Sequence, residues 1–237
     1  MVSFLTGSAC FSSGQSVSYQ DIYGADWDKA LQFVEKNQHW MKESCDLFRV
    51  DYSLAVAVVF PELVRYSALR DRMEITLMKA LYVHKGSEYA DFSVGIFQIK
   101  PSCAETILTE VFQYGERRLS RYFNHLHRAL SEREKRTVIL KELEDPEAQF
   151  IYVLAIVRLL DRRFGTTAWT DPKEKVKFYA AAYNSGFNAP EARIRQFINA
   201  PLFHTGLVKP AVCYSYSAIS ATLYDQLKVR DGKLPRF

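Results

Sequence analysis

The sequence predicts a mainly α domain built round one buried helix, with a small irregular or β element beside it. Three observations carry this. Apolar residues recur at spacings of three and four along most of the chain, the period of a helix face. One stretch, 50–64 (VDYSLAVAVVFPELV), is apolar on every side, as expected of a helix surrounded by others. Only residues 84–100 have strand-like character.

The elements follow in order. Residues 25–42 set Trp27, Leu31, Phe33, Val34 and Trp40 among charges, which predicts an amphipathic helix. In the apolar stretch, Asp51 or Ser53 can cap the start. Pro61 lacks a backbone donor, so this central helix should bend or end at Glu62. Residues 69–82 form a further amphipathic segment. After Lys100-Pro101 a helix is expected, with Ser102 as its cap, and 132–143 reads as a charged surface helix. Asp145-Pro146 opens a long helix, with Asp as cap and Pro in the first turn. Phe150, Val153, Leu154, Val157 and Leu160 form its buried stripe, and Phe164-Gly165 closes it. Asp171-Pro172 starts another in the same way, with Val176, Tyr179, Ala180 and Tyr183 on one face and Asn184-Ser185-Gly186 as its stop. A short helix over 190–199 and a last one through Val212, Tyr216, Ile219 and Leu223 complete the chain. With no repeat, low-complexity tract or Gly/Ser linker, residues 25–237 read as one domain behind a flexible N-terminal segment, 1–24.

Composition excludes several classes of function. The net charge of +4 is spread among mixed signs, whereas nucleic-acid binding needs a concentrated basic face. No apolar run is long enough for a transmembrane span. The first residues end in small side chains, like the remnant of an export signal, but lack its basic start. Cys10 is a candidate lipid-attachment site, with Gly7 where a larger aliphatic residue is usual. The four cysteines include no Cys-x-x-Cys pair, which argues against zinc and thioredoxin-type sites and leaves three full disulfide pairings open. His125 and His127 have no carboxylate pattern nearby and read as helix surface, so no metal is expected.

Three polar features interrupt apolar surroundings. They are Glu62 after Val58-Val59-Phe60-Pro61, the motif Ser93-x-Gly95-x-x-Gln98, and Ala181-Ala182-Tyr183-Asn184-Ser185-Gly186. Each has an ordinary explanation when taken alone: a solvated helix end, a loop amide, a helix C-terminus. Together they suggest more. Burial in an apolar pocket raises a carboxyl's pKa, because desolvation penalises the charged form. A carboxylic acid that keeps its proton near neutral pH can protonate a leaving oxygen, as cleavage of a glycosidic bond requires.

In this order, LAVAVVFPE, SVGIFQIKPS, DPEAQFIYVLAIVRLLDRRFG and FYAAAYNSGFNAP resemble the soluble lytic transglycosylase domain of the lysozyme-like superfamily, over about residues 47–220. The resemblance implies an α+β lysozyme-like fold and a cleft lined by the small irregular element. It implies Glu62 as the sole catalytic acid and base, with Ser93, Gly95, Gln98, Tyr183 and Asn184 at the saccharide. The expected reaction cleaves the N-acetylmuramic acid–N-acetylglucosamine β-1,4 bond of peptidoglycan and closes a 1,6-anhydro ring, through an oxocarbenium-like transition state and without a cofactor. The expected partners are peptidoglycan glycan strands and an envelope-complex protein, and the expected location is the periplasm or cell envelope.

Several positions depart from the family pattern. Leu63 stands where the family has Ser, and Phe97 where it has Met. The connection from Glu62 to Gln98 is long, with an insertion at about 66–90 that would serve as a lid or partner surface. Asp91 stands where goose-type lysozymes carry a second carboxylate. In the cleft it would activate water and make the enzyme a hydrolytic muramidase; otherwise it caps or solvates a turn. A third reading is a catalytically degenerate domain that binds glycan or scaffolds an envelope complex.

Overall fold

A computed structural model describes residues 18–69, 75–127, 131–205, 212–230 and 232. Cys10 and most of the expected N-terminal segment lie outside the described residues. The end of that segment is a helix, α1 (Tyr19–Tyr23), capped by the Ser18 side chain. Tyr23 meets Phe203 edge-on at 5.7 Å, so this end is packed rather than free.

The helix expected over 25–42 is two, α2 (Ala25–Lys36) and α3 (Gln38–Phe48). Asn37 breaks them. Its Nδ2 donates to the Phe33 carbonyl at 2.7 Å and its Oδ1 accepts from the Trp40 indole at 3.0 Å. An asparagine side chain bonded to local backbone in this way competes with the helix ladder.

The central helix, α4 (Tyr52–Leu69), starts under the Asp51 cap, whose Oδ1 accepts the Leu54 N–H at 2.8 Å. Ala55 through Phe60 are wholly buried, which bears out the all-round apolar reading. Pro61 neither ends nor caps the helix, which runs on to Leu69. A mid-helix proline costs about 3 kcal/mol. Here α4 is packed on α2 and on two later helices, α11 (Pro172–Ser185) and α13 (Tyr216–Arg230), and this burial outweighs the lost backbone bond.

Next come α5 (Ile75–Lys85), α6 (Pro101–Tyr114), α7 (Arg117–Tyr122), α8 (Asn124–His127) and α9 (Glu132–Glu144). The expected lid, 66–90, supplies α5, which packs along α9 with Tyr82 buried. Ser102 is not the cap of α6. Lys100 holds that position with Pro101 in the first turn, and the Ser102 N–H is itself capped by Asp91 Oδ1 at 3.1 Å. His125 is exposed and meets Glu142 at 2.7 Å, while His127 stacks on Phe112.

Then follow α10 (Pro146–Phe164), α11 (Pro172–Ser185), α12 (Glu191–Phe197), β1 (Pro201–Phe203), β2 (Tyr214–Ser215) and α13 (Tyr216–Arg230). Asp145 and Asp171 cap α10 and α11 as the Asp-Pro pairs predict. Helix α10 anchors the second half of the core against α3, α6 and α9. The strand-like 84–100 holds a single bridge, Val94 to Ile99. The paired strands lie elsewhere, β1 antiparallel to β2, where no strand was expected. Among the described residues, Cys45, Cys103 and Cys213 form no disulfide with one another. No helix among the described residues is long and apolar enough to cross a membrane.

Candidate active site

Glu62 is the buried carboxyl of α4, the helix packed on α11 and α13. It is 4% exposed. Arg65 lies one turn on, and its Nη1 donates to Oε1 at 3.0 Å and to Oε2 at 2.8 Å. Arg65 is held in turn by β1. Its guanidinium covers the Phe203 ring at 4.7 Å, and its Nε donates to the His204 carbonyl at 3.4 Å. The buried Tyr216 hydroxyl stands near the carboxyl without a well-formed hydrogen bond. Burial pushes the Glu62 pKa up, while the Arg65 charge, the Arg65 hydrogen bond and Tyr216 pull it down. Burial wins, so the carboxyl holds its proton above the ordinary carboxylate range.

The facing wall is the turn 94–99. The Val94 and Ile99 backbones exchange hydrogen bonds at 3.0 and 3.2 Å. Gln98 adopts φ +54, a left-handed conformation uncommon for a side chain of its size. Its Nε2 donates back to the Gly95 carbonyl at 2.7 Å. Two distant residues pin the turn. Gln149 of α10 donates to the Val94 carbonyl at 2.6 Å and accepts the Phe97 N–H at 3.0 Å. The Tyr183 hydroxyl donates to the Phe97 carbonyl at 2.6 Å. The turn that presents Gln98 is therefore fixed by buried polar bonds, and such bonds are costly to break.

Between the walls lies a cleft of about 540 Å³ lined by Glu62, Asp91, Ser93, Gln98, Tyr183 and Asn184, with Arg65 and Cys103. Six of the seven residues singled out from the sequence thus meet there. The exception is Gly95. A Cβ at Gly95 would stand 2.1 Å from the Leu143 carbonyl oxygen and 2.5 Å from Gln149 Oε1. The close approach that demands glycine is to the protein's own interior, not to a ligand. Asp91 accepts the Ser102 N–H and lies 3.4 Å from Lys100, so its carboxylate already holds the start of α6. Cys103 is a neutral thiol, its pKa pushed up to about 12 by burial and then by Asp91.

Three residues of the site escaped the sequence reading. Arg65 had a signal, a charge three residues after Glu62 on an apolar helix. Gln149 had a weaker one, an amide directly beside the buried stripe of α10. Tyr216 had a faint one, since Tyr214 and Tyr216 stand about where the resembling family has a Tyr-Val pair. Leu63, at the position of the family serine, is 1% exposed and belongs to the core. A larger hollow, about 750 Å³ between α5, α6 and α9, holds Glu105, whose carboxylate is already bonded to Tyr82 and Ser87. The smaller cleft is the stronger candidate, because only it borders a buried carboxyl with a raised pKa.

In comparisons with protein-family models, with curated proteins and with solved structures, nothing matches this chain. The cleft can bind a polar ligand along its amide and hydroxyl wall. It can also deliver a proton from Glu62 and take one back. That is the chemistry of a single-carboxyl acid and base catalyst.

Proposed function

We propose that the protein is a peptidoglycan lytic transglycosylase on a lysozyme-like fold, with Glu62 as its sole acid and base. One observation carries the reading. A buried carboxyl with a raised pKa borders a cleft that is also lined by Gln98, Tyr183 and Asn184. In the forward step Glu62 gives its proton to the oxygen between N-acetylmuramic acid and N-acetylglucosamine, and the bond to the leaving sugar breaks. The muramic C1 becomes oxocarbenium-like. The Glu62 carboxylate then takes the proton of the C6 hydroxyl as that oxygen attacks C1, which closes the 1,6-anhydro ring and restores the acid. Gln98 and Asn184 hold the sugar, Ser93 borders it, and Tyr183 fixes the turn that carries Gln98. No cofactor enters, and such a substrate implies work in the periplasm or cell envelope.

A second reading has one observation in its favour: Asp91 lines the same cleft. A water activated there would give hydrolysis instead. The bonds of Asp91 to Ser102 and Lys100 favour the transglycosylase. Digestion of purified peptidoglycan by wild type and Glu62→Gln, with mass spectrometry of the products, separates the readings. The expected result is 1,6-anhydro ends from wild type and none from the variant. Reducing ends would assign the reaction to water, and undiminished cleavage by Glu62→Gln would remove Glu62 from its role.

A further inference from the structure

Arg65 does more than hold the Glu62 carboxyl. Its Nη1 serves both carboxylate oxygens and its Nε reaches the His204 carbonyl, but its Nη2 makes no hydrogen bond among the described residues. The Arg65 side chain lines the cleft and is 25% exposed. The Phe203 ring and the His204 carbonyl hold the guanidinium plane in place, so Nη2 is fixed in position. Of the cations that line the cleft, Lys100 is already engaged by Asp91. Among the described residues, Arg65 Nη2 is the cationic donor beside Glu62 that has no hydrogen-bond partner.

We propose that Arg65 recognises a carboxylate on the bound glycan and is the specificity-determining residue of this cleft. The inference rests on the glycan-cleaving reading above. A guanidinium suits a carboxylate because it is always charged and its N–H···O⁻ bonds are charge-assisted; with Nη1 and Nε engaged, Nη2 would make that bond. A second carboxylate on Arg65 would also share the cation that favours ionised Glu62. The correct substrate would then help keep the acid protonated at the moment its proton is needed. Two groups of peptidoglycan carry this chemistry: the lactyl carboxylate of muramic acid in strands stripped of peptide, and the carboxylates of the stem peptides.

The test uses Glu62→Gln as parent, so that ligands survive, with Arg65→Met and Arg65→Lys added to it. Calorimetry measures affinity for chitohexaose, which has no carboxylate, and for peptide-free and peptide-bearing peptidoglycan strands of equal length. The parent is expected to prefer a carboxylated strand by about tenfold or more. Arg65→Met should bring that preference close to one while leaving chitohexaose affinity unchanged, which a merely structural lesion would not do. Arg65→Lys should keep part of it. Preference for peptide-free strands assigns the lactyl group, and preference for peptide-bearing strands alone assigns the stem peptide. A preference that survives Arg65→Met, or a parent that binds chitohexaose as tightly as both strands, overturns the proposal and leaves the glycan reading standing. Failure of the parent to bind any of the three overturns both.

Discussion

Arg65 Nη1 sits 3.0 and 2.8 Å from the two oxygens of the buried Glu62 carboxyl, one helical turn away on α4. The pair sets two opposing forces on one proton. Burial favours the neutral acid, the guanidinium favours the carboxylate, and burial prevails. Removing a partner from such a pair does more than delete a contact, because it changes the protonation state that chemistry requires.

The first consequence is kinetic. Proton donation needs neutral Glu62, so activity should be present below its pKa and fall as pH rises through it. Arg65 lowers that pKa, by its charge first and its hydrogen bond second. Arg65→Met should therefore move the alkaline limb of kcat/KM to higher pH, whatever it does to the height of the profile. A pH–rate profile checks this, and a limb at the same pH in both proteins would separate Glu62 from the titration.

The same proton affects stability. The Glu62 pKa is higher folded than unfolded, so the native state binds the proton more tightly. This contribution is complete below the unfolded value of about 4.3 and is lost as pH rises through the folded pKa. The amide introduced by Glu62→Gln does not titrate. The melting temperature of that variant relative to wild type should therefore climb as pH is raised from about 4 towards neutrality. A flat or falling difference in a pH series of thermal melts would contradict the raised pKa.

Gln149 and Gln98 should behave oppositely. Gln149→Leu would strand the Phe97 N–H in the interior, at a cost of about 1–3 kcal/mol, and leave the Val94 carbonyl with its Ile99 bond alone. Both stability and activity should fall. Gln98→Gly loses one local hydrogen bond but relieves the left-handed backbone, so stability should change by less than about 1 kcal/mol. Activity should still drop through the missing amide. Urea melts beside turnover measurements distinguish the two, and a collapsed Gln98→Gly would make that residue structural.

Leu63→Ser, which restores the serine of the resembling family, should not improve catalysis. Leu63 is in the core, so the change leaves a cavity and buries a hydroxyl without a partner. A loss of roughly 3 kcal/mol or more is expected by denaturant titration. A variant as stable as wild type and more active would show that position 63 reaches the cleft.

Much of the fold was legible because its signals are local. Asp145-Pro146 and Asp171-Pro172 mark helix starts through a cap and a fixed φ, effects that act within one turn. The unbroken apolar run of α4 predicted a surrounded helix, and Glu62 stood out as its polar residue. In two places packing overruled a local preference. Pro61 does not stop α4, because burial against three other helices outweighs one lost backbone bond. The strand pair β1–β2 is held by contacts beyond its own few residues.

By itself, the sequence determined which side chains could carry chemistry: Glu62, Ser93, Gln98, Tyr183 and Asn184, each set in apolar surroundings. Only the tertiary structure decided how they are held and tuned. Gln149 reaches Phe97 across 52 positions and Tyr183 reaches it across 86, and neither bond has a counterpart in local periodicity. Gly95 was legible as a close approach, but its neighbour, the Leu143 carbonyl, was not. The balance of burial against Arg65 and Tyr216 at Glu62 belongs to the same class. Helix propensity and capping act between residues adjacent in the chain, whereas desolvation and buried hydrogen bonds depend on what the folded chain brings together.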